Sequence, residues 1–189
     1  MAERSLGKNA AGAALFFILA PGSVAGLMPY LLTRWRVETQ PPIAVRITGG
    51  FLIAIGVASV LESFVRFVVR GRGTPAPAAP PTRLVVSGQY RHVRNPMYVA
   101  LVASVLGQAL VLGSRGLVAY AGLLLVLFHL RVTTYEEPKL AEEFGAQFGA
   151  YRASVPRWLP RMTPWREGLD LPAVDGTRTA EQGDEADER

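Results

Sequence analysis

The chain has no cysteine. A disulfide framework, a thiol nucleophile and a cysteine-ligated metal are therefore excluded. Histidine is nearly as scarce. Only His92 and His129 occur, far apart in sequence, which is a poor start for a metal site, and no metal is expected. Lysine appears only as Lys8 and Lys139, so almost all positive charge is arginine. A long polar stretch able to fold into a soluble substrate domain is also missing. Apolar residues make up 50% of the chain and the mean hydropathy is +0.23, high for a soluble protein.

The net charge of +5 hides an asymmetry. From Gly168 to Arg189 there are seven acids against two bases, a tail of −5 that leaves the rest at +10. The tail at 168–189 is poor in apolar residues and reads as disordered. A basic body with long apolar runs points to membrane lipid as partner and away from nucleic acid.

Four apolar segments organise residues 1–167. The first, 10–32, is long enough to span a bilayer. Pro21-Gly22 and Pro29 should kink it, which is tolerable where neighbours satisfy the freed carbonyls. It runs past a normal signal-peptide core, which favours a retained helix. A polar turn with Arg34, Trp35, Arg36 and Glu38 leads to the second span, 43–69. Glu62 and Arg66 stand four apart there, acid first, the favourable order for a pair on one helix face. They are either a functional intramembrane pair or a pair near a helix end with Arg66 reaching outward; both readings stay open. A Pro-rich linker, 71–82, follows. Segments 97–112 and 116–133 form a short helical hairpin about Gly113-Ser114-Arg115-Gly116. Ala103 and Gly107, four apart, give its first arm a small-residue face for close packing.

The next helix, 136–152, is of a different kind. Pro138 and the acids in its first turn are start signals. Leu140, Phe144, Phe148 and Tyr151 make one apolar stripe, opposite Glu142, Glu143, Gln147 and Arg152. Such a helix lies in the membrane interface or covers the core. Trp158 and Trp165, among arginines, fit the interface. The expected fold is an all-α integral membrane protein with four principal transmembrane helices, the last two a short hairpin, and an amphipathic cytoplasmic helix. Arginine placement puts both termini, the loop around Arg94 and the Glu136-Glu137 pair in the cytoplasm. In a bacterium the membrane would be the plasma membrane.

The polar stretch Ser87 to Tyr98 interrupts this apolar pattern. Pro96 biases Asn95 away from helical geometry, so Asn95 reads as an N-cap and Pro96 as the first helical residue. The new helix points free N–H groups and its positive dipole end at the loop, a site suited to a carboxylate or phosphate. Arg91 and Arg94 add fixed charge. Singly, each residue has a plainer role: Arg91 and Arg94 as positive-inside arginines, Tyr98 as an interfacial aromatic, Glu136 and Glu137 as helix-start acids.

The elements Gly88-x-Tyr90-x-x-Val93-Arg94-Asn95-Pro96-x-Tyr98, Glu136-Glu137, Leu140-x-x-x-Phe144-Gly145 and Tyr151-x-x-x-Val155-Pro156-Arg157 occur in that order. Together they resemble the isoprenylcysteine carboxyl methyltransferase family, to which the phospholipid N-methyltransferases are close relatives. The resemblance covers roughly residues 84–160. Many members carry His where this chain has Asn95, and Tyr is common at Phe148. The resemblance implies S-adenosylmethionine as cofactor, held by Tyr90, Arg94, Asn95, Pro96, Met97, Tyr98, Glu136 and Glu137. Arg94, Asn95 and the amides after Pro96 would take the methionine carboxylate at one pole. Glu136 or Glu137 would take the ribose hydroxyls or the amine at the other. Tyr90 and Tyr98 would stack or hydrogen-bond.

The implied acceptor is a lipophilic small molecule reaching the site from the bilayer, with Glu62 and Arg66 as candidate substrate contacts. Its reactive group is the carboxylate of a prenylcysteine-like compound, or alternatively a phospholipid amine or a thiol. A carboxylate is already ionised at neutral pH and needs no base; no catalytic residue is assigned. A non-catalytic membrane subunit or a small-solute carrier with a degenerate cofactor site is the reading from another class.

Overall fold

The computed structural model describes residues 19–70, 84 and 86–166, the side chains of 64 and 66–70 excepted. The start of the first expected span, the Pro-rich linker and the acidic tail lie outside the described residues. What is described is helical, with no strand among these residues. Helix α1 is Leu19–Thr33 and α2 is Ile43–Arg70. A 3-10 turn at Gly88–Arg91 precedes α3, Pro96–Leu112. Helix α4, Arg115–Arg131, runs through a π-turn at Val132–Glu136 into α5, Glu137–Ser154.

Two stretches are long and apolar enough to cross a membrane, Ile43–Ser63 and the continuous Arg115–Ser154, while Leu19–Thr33 and Pro96–Leu112 are shorter apolar helices. Their outer faces carry Leu27 and Leu31 on α1, Ile47, Phe51 and Ile55 on α2, and Val126 and Leu130 on α4, all exposed. An apolar surface of this extent is at home against lipid, not water.

Inside the bundle, α2 and α3 approach through small residues. A Cβ on Gly49 would stand 2.6 Å from the Gly107 carbonyl oxygen, and one on Gly107 would meet the Gly49 oxygen at the same distance. One on Gly56 would run into Ala100 and Ser104. Gly107 thus serves the close packing expected of it. Its companions on α3 are Ala100 and Ser104, while Ala103 is only half-buried. Val102 and Val105 of α3 meet Ala121 and Leu124 of α4, with Val24 and Ala25 of α1 against them.

The kink expected in α1 takes a definite form. Pro29 has no N–H, and its ring crowds the carbonyl four residues back. A π-turn at Ser23–Leu27 makes room, closed by the Met28 N–H donating to Ser23 O. The carbonyls a helical N–H at position 29 would serve are Val24 and Ala25. Tyr120 Oη donates to Val24 O at 3.1 Å and Gln108 Nε2 donates to Ala25 O at 2.8 Å. The α4–α5 junction repeats the device in the same register. The π-turn Val132–Glu136 closes on Glu137, and Pro138 follows. Helix α5 therefore does not start afresh at Pro138 as the sequence suggests; α4 continues into it. Nor is α5 unbroken, because Gly145 has φ 49° and ψ −125°, a conformation glycine tolerates without a Cβ clash.

The stripe on α5 covers the core. Phe148 and Tyr151 pack with Val155 and Trp165, and Leu84, Val86, Leu140 and Phe144 lie against them. Trp165, expected at the membrane interface, is instead buried, its ring edge-on to Tyr151 at 5.6 Å. The extended segment after α5 reaches it by pairing with the polar loop: Arg94 N donates to Pro156 O, Arg161 N to His92 O and Trp165 N to Arg91 O, each at 2.9 Å.

The two ends of the bundle differ. At one, the α1–α2 loop docks on the α3–α4 turn: Glu38 N donates to Leu112 O, Ser114 Oγ to Glu38 and Thr39 Oγ1 to Gly113 O. Gly113 ends α3 in the left-handed conformation, φ 66°, and Ser114 Oγ accepts from Leu117 N to start α4. The other end gathers the polar loop, Glu136, Glu137 and segment 155–165. Gly107→Ala is expected to destabilise by about 1–3 kcal/mol through overpacking. Gly122→Ala, on α4 with nothing within 4 Å of its Cβ position, should be neutral or slightly stabilising. Melting of both purified variants checks the contrast; equal melting points would mean that α2 and α3 do not pack through Gly107.

Candidate functional site

Glu136 and Glu137 are sequence neighbours, so on a helix they point in directions roughly 100° apart and meet different partners. Glu137 is buried and bound by arginines. Arg94 Nη1 donates to Oε1 at 2.7 Å, Arg157 Nε donates to Oε1 at 2.7 Å and Arg157 Nη2 donates to Oε2 at 2.9 Å. Arg152 Nε stands 3.8 Å from Oε2. Glu136 is partly exposed. Its Oε1 accepts from Tyr98 Oη at 2.5 Å and from Arg131 Nε at 2.9 Å, while its Oε2 takes no hydrogen bond among the described residues.

The charges act on one another. Burial alone would raise the Glu137 carboxyl, but hydrogen bonding from Arg157 and the charges of Arg94, Arg157 and Arg152 outweigh it and hold the group below its ordinary value near 4.5. Burial lowers the Arg94 guanidinium against the pull of Glu137, although an arginine stays protonated throughout the accessible range. The Glu137 bond raises Arg157. Burial likewise raises the phenols of Tyr90 and Tyr151, which stay neutral.

Loop geometry follows from these anchors. Asn95 takes the N-cap position of α3 with φ −122° and ψ 56°, but its side chain makes no cap. Its Nδ2 donates to Arg157 O at 3.2 Å instead. Pro96 fills the first turn without an N–H, and the N-terminal amides that follow, Met97 and Tyr98, are left without a side-chain acceptor. Arg94 keeps its buried Nε–H unpaired. Tyr98 stacks on Phe128 at 4.4 Å between ring centres, with Met97 beside it in the same cluster.

Of the residues expected to hold a cofactor, Arg94, Asn95, Pro96, Met97, Tyr98, Glu136 and Glu137 come together at this end of the bundle. Arg94 and Glu137 do not stand at separate poles, because they are bonded to each other. Tyr90 is buried behind the loop and its carbonyl accepts from Tyr151 Oη at 2.7 Å. Among the candidate substrate contacts, Glu62 accepts from Gln89 Nε2, which ties α2 to the loop. The side chain of Arg66 lies outside the described residues.

Sequence reasoning left out Arg157, Arg131 and Phe128. Arg157 stands in the Val155-Pro156-Arg157 element, which could have flagged it. Arg131 and Glu136 are five apart, a spacing that faces one side only in a π-turn. Phe128 looks like any lipid-facing aromatic.

The donor set suits S-adenosylmethionine. It offers a buried arginine, Arg94, and uncapped amides for a carboxylate, an oxygen of Glu136 for hydroxyls or an amine, and an aromatic and apolar wall of Tyr98, Phe128 and Met97. Among the described residues there is no cluster of three or more His, Asp or Glu able to hold a metal. In comparisons with known proteins, the family described as phospholipid methyltransferase matches residues 44–147, more than half of the chain. No curated protein matches it.

Glu137→Gln should cost about 3 kcal/mol or more, since it leaves Arg94 and Arg157 facing each other without an anion. The pH dependence has a definite sign. Glu137 titrates lower in the folded protein than in the unfolded one, so its stabilisation is complete above the ordinary carboxylate value and fades as pH falls through the folded one. Acid melting curves of wild type and Glu137→Gln should therefore converge below that value. A gap that stays constant down to the lowest pH would remove Glu137 from the account.

Proposed function

The chain belongs to the phospholipid methyltransferase family, and from that premise we propose that it is an S-adenosylmethionine-dependent methyltransferase of the membrane. The four apolar helices α1 to α4 cross the bilayer. Both termini and the Arg94–Glu137 end face the cytoplasm, where the cofactor is made and where the arginines concentrate. One observation carries the reading: an uncapped helix N-terminus, the Arg94–Glu137 pair and the partly exposed carboxylate of Glu136 meet where the apolar bundle ends.

The cofactor supplies a methyl group on a sulfonium, ready for direct displacement. The protein's part is to bind, orient and exclude water. Arg94 and the amides of Met97 and Tyr98 hold a carboxylate. Oε2 of Glu136 accepts from hydroxyls or an amine, while Tyr98 and Arg131 fix the group by occupying Oε1. Among the described residues Glu137 pairs only with arginines; it sets the position of Arg94 and Arg157 and so is a positioning residue. Burial against Phe128 and the apolar helices keeps water away.

The acceptor carries an apolar chain and reaches the site sideways between helices from the bilayer. Its reactive group is a carboxylate, which is ionised at neutral pH and needs no base; Glu137, held ionised by arginines, would be a poor one. The second reading is the amine of a phospholipid, favoured by the description of the family. In that case Glu62, the acid on the inner helix beside the loop, takes the proton.

Transfer of radiolabelled methyl by purified protein in bilayers separates the readings. Offered a prenylated cysteine derivative, phosphatidylethanolamine and a short water-soluble carboxylate, the protein should label the first and not the last. Labelling of phosphatidylethanolamine alone would select the amine. Equal labelling of the water-soluble compound would rule out lateral access. Arg94→Lys and Glu136→Gln should each weaken S-adenosylhomocysteine binding by about 1.5–3 kcal/mol, the range for hydrogen bonds to charged groups.

A further inference from the structure

Beyond the site, the segment that follows α5 carries a second surface. Leu159 is 80% exposed and Met162 94%, the highest values among the exposed large apolar side chains. They do not hang from a free loop. Arg94 N bonds Pro156 O, Arg161 N bonds His92 O and Trp165 N bonds Arg91 O, so the segment is pinned to the polar loop on both sides of them. Arg91 Nε donates to Trp165 O at 2.6 Å and His92 Nδ1 lies 2.8 Å from Arg161 O, which pins it further. Trp158 Nε1 donates to His129 Nδ1 at 3.3 Å, which places the segment against the end of α4. Leu127 and Leu130 are exposed on that part of α4. In sequence the segment is bounded by exposed arginines, Arg166 directly after it and Arg152, 3.8 Å from Glu137, four residues before it. Apolar tips held rigidly beside exposed cations match one chemistry, the headgroup layer of an anionic bilayer, where apolar side chains enter the acyl boundary and arginines meet phosphates.

We infer that segment 156–165 is a membrane-surface anchor that inserts Leu159 and Met162 into the headgroup region of an anionic leaflet. This rests on the membrane reading but not on the cofactor or the acceptor. Its backbone bonds to Arg91, His92 and Arg94 link the height of the leaflet to the loop that carries Arg94 and Asn95. The anchor thereby sets the site level with lipid entering from the same leaflet.

The absence of cysteine makes the test direct. Met162→Cys and, as control, Glu142→Cys on the exposed side of α5 are labelled with an environment-sensitive fluorophore in the full-length protein and reconstituted into bilayers. The bilayers contain phosphatidylglycerol and lipids brominated at chosen depths. The Met162 probe should lose roughly half or more of its emission to bromines near the top of the acyl chain, as expected for insertion to that depth. It should lose little to bromines at the chain end, and the Glu142 probe little to either. Replacing phosphatidylglycerol by a zwitterionic lipid should reduce the effect. Met162 quenching no stronger than at Glu142, with full access to a water-soluble quencher, would overturn the inference. So would protection that rises with protein density at fixed lipid composition, which would assign the patch to a second copy of the chain. Because the readout is probe depth, a failure to bind S-adenosylhomocysteine would count against the proposed function and leave the anchor standing.

Discussion

The buried carboxylate of Glu137 is the constraint on which the rest of the site depends. It lies where three parts of the chain meet: the polar loop through Arg94, the end of α5 through Arg152, and the returning segment through Arg157. A buried anion is costly unless matched, and here it is overmatched by cations. With Glu137 occupied by two close arginines, Arg94 keeps one buried N–H unpaired. The pair next door divides the labour, Glu137 holding the architecture while Glu136 keeps an oxygen open.

How the two acids come to face different partners is a backbone matter. The π-turn before Pro138 widens the helix by one residue and brings Glu136 onto the face of Arg131, five positions back. The same turn before Pro29 in α1 frees carbonyls that Gln108 and Tyr120 satisfy. In a medium without water, such partners decide whether a proline is tolerated in a spanning helix. Close packing of α2 on α3 through Gly49, Gly56 and Gly107 completes the bundle and leaves the larger apolar side chains pointing outward.

Much of this was legible in the sequence. Apolar run lengths marked the helices, Pro96 and Gly113 marked the ends of α3, and the stripe from Leu140 to Tyr151 marked the buried face of α5. The order of the loop and the acid pair pointed to the isoprenylcysteine carboxyl methyltransferases and their phospholipid methyltransferase relatives, and the comparison showed the phospholipid methyltransferase family. The sequence was silent where the outcome depends on tertiary company. Trp165 looks interfacial until the strand-like pairing at Arg91 is known. Asn95 looks like a side-chain cap until Arg157 O claims its amide. Arg94 and Glu137, assigned to opposite ends of one ligand, turn out to be bonded across 43 residues of sequence. No helical periodicity reports a contact of that kind.

We place the cofactor between the N-terminus of α3 and Glu136. Hydrogen exchange of the purified protein in bilayers, with and without S-adenosylhomocysteine, addresses it at single amides. The amides of Met97 and Tyr98 have no helical acceptor and exchange freely unless a ligand carboxylate covers them. The account predicts that S-adenosylhomocysteine slows exchange at Met97 and Tyr98 and across Val132–Glu136, with little change in the Glu38–Ser114 end of the bundle. Bound ligand with unchanged exchange at Met97 and Tyr98, or protection concentrated at the opposite end, would contradict it.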